Sequence, residues 1–167
     1  MTALKRFNFP QLILFGLVGV ASIGCGGSTA PDGMPDLHPV TMVVQQNGQP
    51  VEGVSVQFIP QDPSNRRWAC GGATDAMGTV AIKTLGKYDG APEGAYKVTF
   101  YKTETEGGGA GSGDDPSGSA SNDSYMLVDP KFAAVESTPI EVTVTPGDAE
   151  LAPVDLGKSV KIKQAKM

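Results

Sequence analysis

Four short stretches of this chain alternate strictly between apolar and polar residues, and that period of two decides the fold class. Val54, Val56 and Phe58 share one face of Val54–Phe58, and Val80 and Ile82 share one face of Thr79–Lys83. Tyr96, Val98 and Phe100 do the same, as do Ile140, Val142 and Val144. Successive side chains of a strand point to opposite faces, so such runs bury one face and wet the other, as antiparallel strands do. Composition agrees: beyond residue 24 there are 14 Val against 5 Leu, a balance that favours a pleated surface over a helix. With 22 Gly and 13 Pro in 167 residues, the chain also carries too many breaks for a helical bundle.

The turns support the same reading. Asn47-Gly48 between two apolar runs is a short-hairpin signal, because both residues tolerate positive φ. Asp75-Ala76-Met77-Gly78 and Asp89 to Gly94 are two further turns. Strands are expected near Val40–Gln45, Val51–Ile59, Trp68–Thr74, Thr79–Thr84, Ala95–Lys102, Thr138–Thr145 and Val154–Leu156. Together they predict an all-β domain, a small seven-stranded antiparallel β-sandwich, over 39–157. Residues 103–124 contain no Leu, Ile, Val, Phe, Met, Tyr or Trp, and the sequence predicts a long disordered Gly-rich loop there. The last stretch, 158–167, holds four Lys and reads as a short edge strand or a solvated tail.

The N-terminus carries a different signal. Lys5 and Arg6 precede the mostly apolar run Leu12–Ile23, twelve residues long. A membrane-spanning helix needs about 20 such residues, so the run has the length of a secretory signal's apolar region instead. Gly24-Cys25 follows and resembles the lipobox of bacterial lipoproteins, although Ser22 stands where that motif usually has Leu. The resemblance implies a lipoprotein signal peptide over 1–24, removed on maturation, and a diacylglyceryl-modified, N-acylated Cys25. Two or more acyl chains make a durable anchor. Cys25 begins a flexible tether over 25–38, rich in Gly, Pro and Asp. From Cys25 onward the chain has eleven basic and 18 acidic residues, a net charge of −7. That acidity argues against a nucleic-acid partner.

Three turn motifs in order suggest a second resemblance. Asn47-Gly48-Gln49-Pro50-Val51-Glu52-Gly53-Val54-Ser55-Val56 resembles the opening of carboxypeptidase regulatory-like, or transthyretin-like, domains. Thr74-Asp75-Ala76-Met77-Gly78 is similar to their following turn, and Gly90 to Val98 to their G-x-P-x-G-x-Y-x-V segment. The resemblance spans roughly Val40 to Leu156 and implies a seven-stranded sandwich of the prealbumin or immunoglobulin-like type. It implies no catalysis, since the domain is an accessory module in the peptidases that lend it a name. Tyr96 opens a strand, where its ring can be buried and its hydroxyl can cap a loop as in a tyrosine corner.

The chemistry-bearing residues are few. His38, the only imidazole, lies where the tether meets the domain, a poor place for a preorganised base to Cys70 or a Ser. Cys70 and Trp68 alternate and are expected to face inward together. Arg66-Arg67-Trp68 reads as exposed Arg entering a strand with a core Trp, with a stacking contact to sugar or headgroup as the sharper alternative. Gly108–Gly113 is one residue from the start of a calcium-binding nonapeptide, and Asp114, Asp115 and Asp123 could bind calcium only weakly. Asn122-Asp123-Ser124 fits a glycosylation sequon, a reading that lapses in a bacterium.

No catalytic residue, cofactor or resident metal is therefore expected. The expected function is that of a lipid-anchored protein of the bacterial cell envelope, in the outer membrane, with a non-enzymatic structural or binding domain. Its partners would be membrane lipid through Cys25 and an envelope protein or polysaccharide. The alternatives are an accessory domain or minimal hydrolase, and a small-ligand carrier resembling transthyretin.

Overall fold

The computed structural model describes residues 30–106, 123–147 and 149–164. Among them the only helical elements are two 3-10 turns, Pro63–Asn65 and Pro130–Phe132, so the chain is all-β. The strands in chain order begin with β1 (Leu37–His38), β2 (Val40–Gln46), β3 (Gln49–Pro50), β4 (Ser55–Pro60) and β5 (Cys70–Ala73). Next come β6 (Thr79–Ala81), β7 (Lys83–Thr84), β8 (Tyr88–Asp89), β9 (Ala91–Pro92) and β10 (Gly94–Tyr101). The last are β11 (Thr103–Glu106), β12 (Asp123–Met126), β13 (Glu141–Val144), β14 (Ala149–Glu150), β15 (Val154–Asp155) and β16 (Ile162–Lys163).

One sheet is antiparallel throughout, in the order β13-β10-β4-β5-β7-β8. Its register puts Tyr96 opposite Pro60, Val98 opposite Phe58 and Phe100 opposite Val56, and all six are buried. The second sheet is built around β2, whose Val40, Met42 and Val44 are buried on one face. These two faces, with Val80, Ile82, Val154 and Leu156, form one apolar core, an arrangement consistent with a β-sandwich.

Every expected strand region contains a strand, but their number and direction differ from a seven-stranded antiparallel pattern. The Val40 and Val44 carbonyls of β2 accept from Ile82 and Val51, on the side of β6 and β3. The odd-numbered carbonyls of Pro39, Thr41 and Gln45 accept from Ala149, Leu151 and Leu156, so β14 and β15 run parallel to β2. The Asp155 carboxylate fixes that register by accepting from the Asn47 and Gly48 amides at 3.0 and 2.9 Å. Backbone hydrogen bonds, that of Gly157 foremost, hold its carboxyl below the usual carboxylate range.

The expected Thr79–Thr84 strand is two strands. Thr79–Ala81 pairs with β2 and Lys83–Thr84 with β5, so the chain changes sheets at the buried Ile82. The expected Val51–Ile59 strand starts later, at Ser55. Thr74 Oγ1 donates to the Val51 carbonyl and accepts from the Val54 amide, which bends 51–54 into an arch.

Two boundaries also need correction, and the C-terminal stretch takes the first of its two expected forms. Within the expected tether, Leu37–His38 pairs with Ala91–Pro92 and the Gly33 carbonyl accepts from the Arg67 guanidinium, so a short ladder and a side-chain hydrogen bond tie this segment to the fold. The predicted loop over 103–124 begins and ends in strands: Thr103–Glu106 pairs with Asp123–Met126, while 107–122 lies outside the described residues. This ladder shows no apolar alternation because charge and backbone hydrogen bonds hold it. Lys161 pairs with Glu106, and Lys163 Nζ reaches Asp123 at 2.7 Å. The Lys-rich 158–167 segment thus supplies an edge strand, β16, against β12.

Candidate functional site

The outer face of the six-stranded sheet carries a groove of about 1010 Å³. Its origin is legible strand by strand. Ala69, just before β5, and Gly71 and Ala73 within it line its floor. Beside them stand the larger Gln57 and Ile59 of β4 and, across β5, Lys83 and Leu85. The register aligns these residues in rows, with Gln57 opposite Gly71 and Gly71 opposite Lys83. A side chain at Gly71 is excluded by the sheet itself, because a Cβ there would lie 2.5 Å from the Val56 carbonyl oxygen. Neighbouring Gly72 admits the second sheet, since its Cβ would meet Val80 Cγ2 at 2.7 Å.

Arg66, Lys83 and Lys97 are the cations of the lining, and among the described residues no carboxylate or imidazole lines it. Lys83 Nζ shares its charge with Asp89 at 3.1 Å, and Lys97 with Glu141 at 4.0 Å. Arg66 has no carboxylate partner among the described residues. On a chain of net charge −5, this is a local reversal of sign.

The residues singled out in the sequence do not assemble into this groove. Cys25, Asp114, Asp115, Gly108–Gly113 and Asn122 lie outside the described residues. Asp123 is in β12, paired with Lys163. His38 sits in β1, where its Nδ1 accepts from the Gly147 amide at 3.4 Å. Tyr96 is fully buried and its hydroxyl donates to the Pro92 carbonyl at 2.7 Å, the corner its position suggested; burial pushes its hydroxyl pKa up. Trp68 is buried but lies outside the core cluster, covered by the Arg67 guanidinium 4.5 Å from its ring centroid. Of the Arg66-Arg67-Trp68 motif, only Arg66 reaches the groove.

Cys70 is a free thiol that faces the core. Its Sγ donates to the Trp68 carbonyl at 3.1 Å and lies 3.3 Å from Thr84 Oγ1. Burial pushes the thiol pKa up, which starves it of the reactive thiolate. Labelling with a thiol reagent should accordingly be slow in the native protein and fast in denaturant. Rapid native labelling would place Cys70 on the surface. Cys70→Ser puts a hydroxyl on the same carbonyl, so unfolding titrations should show a loss of only about 1 kcal/mol.

Sequence reading missed Leu85, Lys83, Lys97 and Val135 as groove residues. One local signal was present: Ala69 to Ala73 is a run of small residues in a strand, bordered by larger ones. Comparison with protein-family models, with curated proteins and with solved structures finds no match for this chain.

Proposed function

We infer that this chain is a lipid-anchored cell-envelope protein whose β-domain is a non-enzymatic binding module. The observation that carries the anchor is Gly24-Cys25 directly after the apolar run Leu12–Ile23. The groove supports the binding half of this reading: it offers cations and aliphatic side chains on one sheet face. Among the described residues Ser55 lines it with no carboxylate or imidazole alongside, and Cys70 turns its thiol inward with a raised pKa.

Mass spectrometry of the mature protein should show an acylated Cys25 with nothing before it. Cys25→Ala should move the protein from the membrane fraction to the soluble one, because no described helix is long and apolar enough to cross a membrane. A native product that begins elsewhere and fractionates as soluble would sink the anchor.

A further inference from the structure

Two tight turns of this protein each place two successive residues at positive φ and differ in the first of them. Asn47-Gly48 has φ of 53° and 76°, and Leu85-Gly86 has φ of 53° and 69°. In the second turn the Lys87 amide donates to the Thr84 carbonyl at 3.1 Å, and the turn joins β7 to β8 with Thr84 opposite Tyr88. Its first position favours Asn, Asp or Gly, because a Cβ opposes the left-handed conformation. Asn fills it in one turn and a bulky Leu in the other. Leu85 is 43% exposed, so core packing does not explain the choice. Its side chain lines the groove.

We propose that the groove over β5 binds a long-chain carboxylate, with the alkyl chain on Leu85, Ile59 and Ala73 and the head group on Arg66. The inference deepens the binding-module half of the proposed function and is independent of the anchor. Its basis is charge complementarity combined with an apolar floor. Residues 69 to 73 run four steps along the strand, about 13 Å at ~3.3 Å per residue, which is room for one extended chain.

An alkyl chain suits this surface better than a peptide does. The ladder to β4 spans Cys70–Ala73, and on the other side the ladder to β7 engages Cys70 and Gly71, over which the groove lies. A peptide backbone lying over them would lose water without gaining partners, whereas an alkyl chain asks for none. Among the described residues the cation supply is one guanidinium without a carboxylate partner, with Lys83 and Lys97 already sharing charge with Asp89 and Glu141. That matches a monoanion, and the Arg fork matches a carboxylate.

Calorimetric titration of the purified chain with dodecanoate, kept below its micellar concentration at neutral pH, should give saturable binding to a single site. Dodecyltrimethylammonium, with the same chain and the opposite charge, should fail to saturate. Arg66→Gln should weaken dodecanoate about tenfold through loss of a charge-assisted contact. Leu85→Asn should weaken it about tenfold or more through loss of apolar contact, while the unfolding midpoint holds or rises. That pairing separates a ligand contact from a folding defect. Absence of saturable binding, equal binding of the cationic amphiphile, or binding indifferent to both substitutions would each overturn the proposal. So would displacement of dodecanoate by a poly-glutamate peptide, which would make the groove a peptide site. Failure here leaves acylation of Cys25 untouched, and an unacylated Cys25 leaves the titration unchanged.

Discussion

Phe58→Ala should destabilise the protein by about 3–5 kcal/mol, the usual cost of removing a buried aromatic ring from a core. Phe58 is 1% exposed and sits in a central strand, with Val98 opposite on one side and Cys70 on the other. Its ring lies 5.6 Å from that of Tyr96, centroid to centroid, at an interplanar angle of 49°. The neighbours belong to a sheet hydrogen-bonded on both sides of β4, so they cannot close the void without breaking the ladder. The next residue is the control. Gln57 is exposed on the opposite face, and Gln57→Ala should change stability by less than about 0.5 kcal/mol. Urea unfolding of the two variants reads the register directly, since a slip of one residue exchanges the faces of a strand. Equal losses would refute the pairing of β4 described above.

Gly90→Ala should be the most damaging single-methyl addition in the turns. Gly90 has φ of 98°, where a Cβ is already opposed by the backbone. That conformation alone costs an L residue about 1–2 kcal/mol. The new methyl would also lie 2.5 Å from the His38 carbonyl oxygen and 2.7 Å from its carbon, both backbone atoms of β1. It could be relieved only by moving β1, or by moving Gly90 itself. The second route is closed by the Gly90 amide, which donates to Ile82 at 2.8 Å, and by its carbonyl, which accepts from Thr84 Oγ1 at 2.7 Å. A total loss above about 2 kcal/mol is expected. Gly157→Ala isolates the conformational part, because Gly157 has φ of 72° and nothing within 4 Å of its would-be Cβ. If both variants unfold at the same urea concentration, β1 does not press on Gly90 as described.

Local chemistry determined much of this architecture before any long-range contact was known. Val54, Val56 and Phe58 had to share a face because a strand alternates, and they do. Asn47-Gly48 had to turn because both residues accept positive φ, and they do at 53° and 76°. Tyr96 at the start of a strand invited a corner, and its hydroxyl found the carbonyl four residues upstream. In each case the deciding interactions lie within a few residues along the chain.

What needed the tertiary structure is whatever depends on which strand lies beside which. The parallel course of β14 and β15 is set by free carbonyls on one side of β2, more than 100 residues earlier in the chain. The division of Thr79–Thr84 between two sheets is set by partners, since its alternation is unbroken through Ile82. The Thr103–Glu106 and Asp123–Met126 strands carry no apolar pattern at all, and their cations come from the far end of the chain. The groove is the extreme case. Ile59, Arg66, Lys83, Leu85 and Lys97 have nothing in common along the sequence, and alternation says only that some of them point outward. They become one surface because strand pairing sets β4 and β7 on either side of a strand of small residues, and pairing order is a property of the whole chain.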